Sequence, residues 1–303
     1  MGKLHQIFYV AFILIFLASC KKQTEQTTDT AVETKETYSS GELSVYVEES
    51  VVPIFEDLTM VFESEYPKAK LHTKASSENR IVNLLAQDSI RLAIMPRKLT
   101  EKEVDYFKDR VTPVQTAFAK DAIVFVANKS FQDTLVNYTD FLNYMKNPKE
   151  SKYHFVFENV NSTLVNQLMR EAEIKEIPDR VYFRNNAEEV LALVSQHNNL
   201  VGVIGLNWLV QPNDTITELM DDIQSLAVYN ETEQAYFKAN QSTIADGTYP
   251  LTREIYVIDL QGKTGLGKGF ASFAASDKGQ RIVLKSGLLP VKMPTRQINI
   301  QDN

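Results

Sequence analysis

The chain reads as an α/β protein with mostly parallel sheets lying between helices, and three observations predict this. Short β-prone runs alternate with helical periodicity from Leu43 to Met95, the order β-α-β-α-β recurs from Tyr153 to Ile204, and Ala122 to Ala127 is an unbroken apolar run. Alternating elements imply a sheet covered by helices, and an unbroken apolar strand implies cover on both faces. Two such units in succession bury separate cores. The alternation leaves open whether the chain crosses between them once or twice.

Leu43-Ser44-Val45-Tyr46-Val47 alternates and forms the first strand. After Ser50 and Pro53, Phe55, Leu58, Phe62 and Tyr66 recur at helical spacing up to Pro67, with Ser50 as the expected cap. Ala69 to Thr73 make a strand, Ile81, Leu84 and Leu85 mark a helix face, and Arg91 to Met95 make the third strand. Thr100 and Glu103 have capping-box spacing. In the second unit, strands at Tyr153–Phe157, Val181–Phe183 and Val201–Ile204 enclose helices carrying Leu164 and Leu168, then Val190, Leu191 and Val194. Ser225 to Tyr229 are strand-like, Thr243 to Pro250 have turn composition, and Glu254 to Ile258 form a strand. A single last helix is expected from Ala271 to Leu284.

The one cysteine lies in Leu17-Ala18-Ser19-Cys20, after an apolar run from Ile7 and before Lys21 and Lys22. This has the form of a bacterial lipobox, so residues 1–19 are expected to be a cleaved leader and Cys20 a lipidation site. The apolar run is shorter than the roughly 20 residues a helix needs to span a bilayer. Lys21 to Ser40 are almost wholly polar, which predicts a tether over residues 20–40. The expected location is the bacterial envelope, lipid-anchored on its periplasmic or outer face.

The net charge of −7 disfavours a nucleic-acid surface, which needs surplus positive charge. It does not disfavour a small anion, because backbone N–H groups bind one without net charge. The four histidines are scattered and no His/Cys cluster has metal-ligand spacing, so neither a metal nor another cofactor is indicated. No Gly-x-Ser-x-Gly elbow is present, and the sequence predicts no enzyme. Gly262 to Gly269 approach a phosphate-binding loop but carry Gly269 where Ser or Thr would hold magnesium. A surface loop is expected there.

Three strand-to-helix turns carry hydroxyl or amide residues: Ser50, then Ser76 and Ser77, then Asn161, Ser162 and Thr163. In open α/β sheets the ligand crevice lies outside the carboxyl ends of the strands, where helix N-termini offer free N–H groups. One such residue alone is most often a helix cap; three in corresponding places predict a binding cleft. Arg97, just past the third strand, is placed to reach the same crevice with a fork that suits an oxyanion.

The order of these segments resembles the phosphate-type periplasmic substrate-binding proteins of ABC transporters, in a lipid-anchored form, over residues 41 to 292. The resemblance is carried by Asp88 to Thr100 with Glu103, Lys120 to Val124, Val201 to Gly205, Tyr249 to Arg253, and Phe273 to Gln280 with Gly287 and Pro290. It implies a two-lobed type II clamp joined by a two-strand hinge, with lobe one at 41–126 plus 252–297 and lobe two at 127–251. It further implies a monomer that holds phosphate or a similar oxyanion between the lobes and presents it to an ABC permease. Matched position by position, the ligand-binding residues are Ser50, Val51, Ser77, Asn161, Ser162 and Thr163, with Arg97 as a supplementary positive charge. Two positions depart from the family. Its aspartate that accepts the proton of a bound phosphate falls on Arg91, and its charge-balancing arginine falls near Phe157 or Glu158. Glu78 stands where it could itself occupy an anion site. A binder of a different solute, or a surface or assembly protein that keeps the clamp without phosphate, are the alternatives.

Overall fold

The computed structural model describes residues 36–147, 154–178 and 181–295. The expected leader, Cys20, the tether up to residue 35 and Tyr153 lie outside the described residues.

The first β-α-β-α-β stretch comprises β1 (Ser40–Glu48), α1 (Val52–Glu65), β2 (Lys68–Ser76), α2 (Glu78–Ala86) and β3 (Leu92–Met95). Next come α3 (Glu101–Phe107), with the expected capping box of Thr100 and Glu103, and the long strand β4 (Val114–Asn128). A short β5 (Leu135–Val136) and α4 (Tyr138–Lys146) lead into β6 (His154–Glu158), α5 (Thr163–Glu171), β7 (Tyr182–Arg184), α6 (Ala187–Gln196) and β8 (Leu200–Gly205). Then follow α7 (Asn207–Val210), α8 (Asp214–Leu219), β9 (Ile223–Ser225), β10 (Ala227–Asn230), β11 (Ala235–Phe237) and α9 (Gln241–Ala245). The chain closes with β12 (Thr252–Asp259), α10 (Leu266–Ala274), α11 (Asp277–Lys285) and β13 (Leu289–Pro290).

Ten strands form one curled mixed sheet, along the path β2-β1-β3-β12-β4-β8-β6-β7, with β13 and β9 also on β4. Parallel pairs form at each end, β2-β1-β3 and β8-β6-β7. Strand β4 joins them: Val114 to Ala122 pair antiparallel with β12, and Ile123 to Ala127 pair antiparallel with β8. Its apolar middle is buried on both faces, which is why the sequence there lacks alternation. Edge-to-face aromatic contacts fill the space under the helices, Phe62 with Phe270 and Phe273 in one place and Phe141 with Phe125 and Phe155 in another. This is the α/β architecture the sequence predicts.

Four local expectations are corrected. The last helix is two helices, because Ser276 accepts from the Gly279 N–H at 3.3 Å and restarts the helix as α11. The turn is tight enough that a Cβ at Gly279 would lie 2.3 Å from the Phe273 carbonyl oxygen. The Gly/Lys segment is not a surface loop throughout. Gly267 and Gly269 are buried inside α10, and a Cβ at Gly269 would lie 1.8 Å from the Tyr38 carbonyl oxygen. The turn-like stretch before β12 includes α9, because Asn240 accepts from both the Ser242 and Thr243 N–H groups. Ser50 does not cap α1; it lies in the 3-10 turn Glu49–Val51 and its hydroxyl is engaged elsewhere.

Candidate functional site

Strands β1 and β6 run parallel to their neighbours, and their carboxyl ends carry the two buried glutamates Glu48 and Glu158. At the end of β1 the chain turns sharply, so the Ser50 backbone N–H and hydroxyl both donate to Glu48 Oε2, the N–H at 3.0 Å. The other oxygen, Oε1, accepts from the backbone N–H of Thr163 at 3.1 Å. Thr163 is the first residue of α5, where N–H groups have no partner inside the helix and carry its positive dipole end. Glu48 is thus a fully buried carboxylate held by donors from both sides of the crevice.

Arg253, near the start of β12, supplies the positive charge. Its Nε and Nη2 donate to Asp121 Oδ2 at 2.9 and 2.6 Å, and Nη2 also donates to Ser50 Oγ at 2.9 Å. Asp121 Oδ1 accepts from the Asn207 N–H, and Asn207 Oδ1 accepts from the Ile54 N–H, each at 3.1 Å. The network therefore ties the first turn of α1 to β4, β12 and the start of α7. Gly205 makes it possible, since a Cβ there would lie 2.4 Å from Arg253 Nη2.

Electrostatically the cluster is rich in acid. Asp121, Glu48 and Glu158 surround one guanidinium, all buried. Burial, reinforced by the charge of Glu48, pushes the Glu158 carboxyl well above the usual range. Glu48 is also raised by burial, although Arg253 and the hydrogen bonds from Ser50 and Thr163 oppose the shift. Four buried polar atoms here have no protein partner: Glu158 Oε1, Thr163 Oγ1, Asn207 Nδ2 and Arg253 Nη1. Among the described residues, no group of three His, Cys, Asp or Glu side chains is arranged to hold a metal.

The crevice rims are also joined. Glu49 accepts from Asn159 Nδ2 at 2.7 Å. Asn79 Nδ2 donates to Asn161 Oδ1, the Asn79 N–H donates to the Asn161 carbonyl, and Asn166 Nδ2 donates to Asn79 Oδ1.

Of the residues selected from sequence, Ser50, Val51, Ser162 and Thr163 are buried around this cluster. Ser162 caps α5 by accepting from the Val165 N–H. Asn161 lies on the exposed rim. Ser77 precedes α2 without a side-chain cap and lines a separate recess with Glu49, Lys74 and Arg80. Arg97 is already matched by two carboxylates, a 2.9 Å contact to Glu78 and a two-pronged pair with Glu103. Glu78 is thereby spent on Arg97, and Glu48 holds the place at the helix N-terminus instead. Arg91 is exposed and pairs with Asp88, away from the crevice. Glu48, Asp121, Gly205, Asn207 and Arg253 were not singled out as site residues from sequence. Asp121, Gly205 and Arg253 do lie in segments that carry the family resemblance.

The curled mixed sheet flanked by helices is consistent with a type II clamp fold. Residues 24–278 match the PBP superfamily domain, and the chain belongs to that superfamily. That membership places the chain with non-catalytic substrate-binding proteins. A phosphate-binding protein, PstS 2 of Streptococcus pneumoniae (strain TIGR4), is 27% identical over 118 residues, which are 39% of this chain and 35% of that protein. This chain thus matches about a third of the length of that relative. A substrate-binding protein from Clostridium perfringens, solved with bound phosphate, superposes with a TM-score of 0.69 at 16% identity, covering 83% of this chain and 100% of that one. An ABC-type phosphate transport receptor from Vibrio cholerae gives 0.63 at 16% identity, covering 82% and 100%. At such identities the superpositions establish the fold alone.

Proposed function

We propose that the chain is the solute-binding lipoprotein of an ABC importer and takes phosphate, or a similar small oxyanion, between two lobes. Residues 41–126 with 252–297 form one lobe and 127–251 the other, with Cys20 carrying the lipid anchor in the bacterial envelope. The observation that carries this reading is the convergence of donors on one carboxylate. The Ser50 N–H and hydroxyl and the Thr163 N–H all point at the Glu48 oxygens, and Arg253 backs the Ser50 hydroxyl. Such a set stabilises an oxyanion with neutral donors, so an acidic protein can possess it. The named relatives bind phosphate, which supports the same ligand class here. In this reading Ser50, Val51, Ser162 and Thr163 form the inner site and Asn161 its rim, while Ser77 lines a separate recess and Arg97 is held by Glu78 and Glu103. Closure of the lobes on the solute would present a shape that a permease recognises.

Calorimetric titration of the full chain in detergent with phosphate at neutral pH tests this. Binding heat with a one-to-one endpoint is expected. Absence of heat and of any thermal shift at millimolar phosphate overturns it.

A second reading has its own observation, the surplus of buried carboxylates over guanidinium. That balance suits a solute with a cationic or hydrogen-donating group. A thermal shift with such a solute and none with phosphate would select it.

A further inference from the structure

We propose that Glu48 is a built-in competitor for the oxyanion cradle, a side chain that fills the place of the solute and must be displaced before an anion binds. The inference rests on the oxyanion reading above for the identity of the displacing ligand, but not for the latch itself. Glu48 belongs to β1 and accepts from Ser50 beside it, and it also accepts from Thr163 on α5, 115 residues further along the chain. One carboxylate therefore does what a bound oxyanion does in a clamp: it draws donors from both sides onto a single charge. Its burial is complete, so this is not a surface side chain resting on a helix end. Thr163 Oγ1 and Arg253 Nη1 remain buried without a protein partner beside it, which leaves donor capacity that the two oxygens of a carboxylate do not use. A tetrahedral oxyanion has more oxygens to meet them.

The charge balance makes displacement selective. Glu158 and Asp121 stand in the same buried cluster with Arg253, and Glu49 lies at its edge on Asn159. An anion entering while Glu48 stays in place would add negative charge to a region already acidic. Entry therefore requires the Glu48 side chain to swing out of the cradle. Its apparent affinity is then reduced by the fraction of molecules in which the cradle is free.

The test compares the full chain with Glu48→Ala and with Glu48→Gln, which keeps the volume and an acceptor but not the charge. Two quantities are read: phosphate affinity by calorimetry and the radius of gyration by solution scattering without added phosphate. The Ala variant is expected to bind phosphate at least about tenfold more tightly than the parent, because the internal competitor is gone. It is also expected to have a larger radius, because a bond joining the two sides is lost. Either change supports the proposal, and both quantities unchanged overturn it. If Glu48→Ala does not fold, Glu48→Gln carries the test, and a Gln variant equal to the parent in both quantities overturns it. An increased radius with no phosphate binding by any of the proteins keeps the latch and removes phosphate as the ligand. A larger radius in no variant, with phosphate bound equally by all, keeps the ligand and removes the latch.

Discussion

Glu48 Oε1 lies 3.1 Å from the backbone nitrogen of Thr163, so the last residue of β1 caps helix α5 from across the crevice. The capping residue proper, Ser162, serves a different donor, the Val165 N–H. The N-terminus of α5 is thus satisfied by one local oxygen and one remote one. The remote bond couples the two parallel strand sets.

Thr163→Pro separates these two roles. Thr163 is the first helical position, where proline is well tolerated, and Ser162 already has the extended backbone that precedes a proline, φ −75° and ψ 159°. The substitution deletes the N–H that Glu48 accepts while leaving the helix able to form. A loss of about 1–3 kcal/mol is expected, the cost of leaving a buried acceptor short of a donor. Urea unfolding followed by circular dichroism measures it, with unchanged helix content in the folded baseline. A stability equal to the parent would mean that the Glu48–Thr163 bond contributes nothing.

Arg253 is the one guanidinium against three buried carboxylates, so its removal has a large predicted effect. Arg253→Met leaves Asp121 without its partner and Glu48 and Glu158 without a compensating charge. Breaking a buried pair from one side costs about 3–5 kcal/mol. The midpoint of denaturant unfolding should fall accordingly, and the double variant Arg253→Met with Asp121→Leu should recover part of the loss. No recovery would place the defect in packing instead of charge.

The sequence makes the architecture legible because its signals are periodic. The apolar faces of α1 and α6, the capping box at Thr100 and the apolar run in β4 all follow from local spacing. The site is less legible for a physical reason. Glu48 and Arg253 are charged residues, which usually face solvent, and only the fold brings them to Ser50 from 2 and 203 residues away. The hydroxyl-bearing turns show where the crevice lies but not what fills it. A neighbouring glutamate can be seen in Glu48-Glu49-Ser50, yet nothing local says that its carboxylate turns inward while Glu49 reaches Asn159.

Gly205 tests how closely the cluster is packed. At the end of β8 it meets Arg253 Nη2, with Asp121 Oδ2 and the Ser50 carbonyl oxygen also near the place a Cβ would take. Gly205→Ala forces the guanidinium away from Ser50 or Asp121, since the strand backbone is fixed by pairing with β4. A destabilisation of about 1–3 kcal/mol is expected from overpacking. Thermal unfolding checks it, and an unchanged midpoint would mean that Arg253 yields without cost.

Glu158 gives the cluster a pH dependence of a definite sign. Burial first, and then the charge of Glu48, raise its folded-state pKa well above the ordinary value, with Glu49 and Asp121 adding to the rise and Arg253 opposing it. Glu48 is raised as well, again chiefly by burial. Between the ordinary glutamate pKa of about 4.3 and the raised folded value, the folded chain binds more protons than the unfolded one, so stability falls as pH increases. The contribution is fully present below the ordinary pKa and is lost as pH rises through the folded one. Glu158→Gln removes that slope for this residue, because an amide does not titrate. The variant is therefore expected to gain on the parent as pH goes from 5 to 8, with a Tm difference growing by about 2–4 °C for each 1 kcal/mol of charge penalty removed. Thermal unfolding of both proteins across this range measures the difference. A gap that is constant with pH would mean that Glu158 is ionised in the folded and unfolded chain alike, without the raised folded-state pKa.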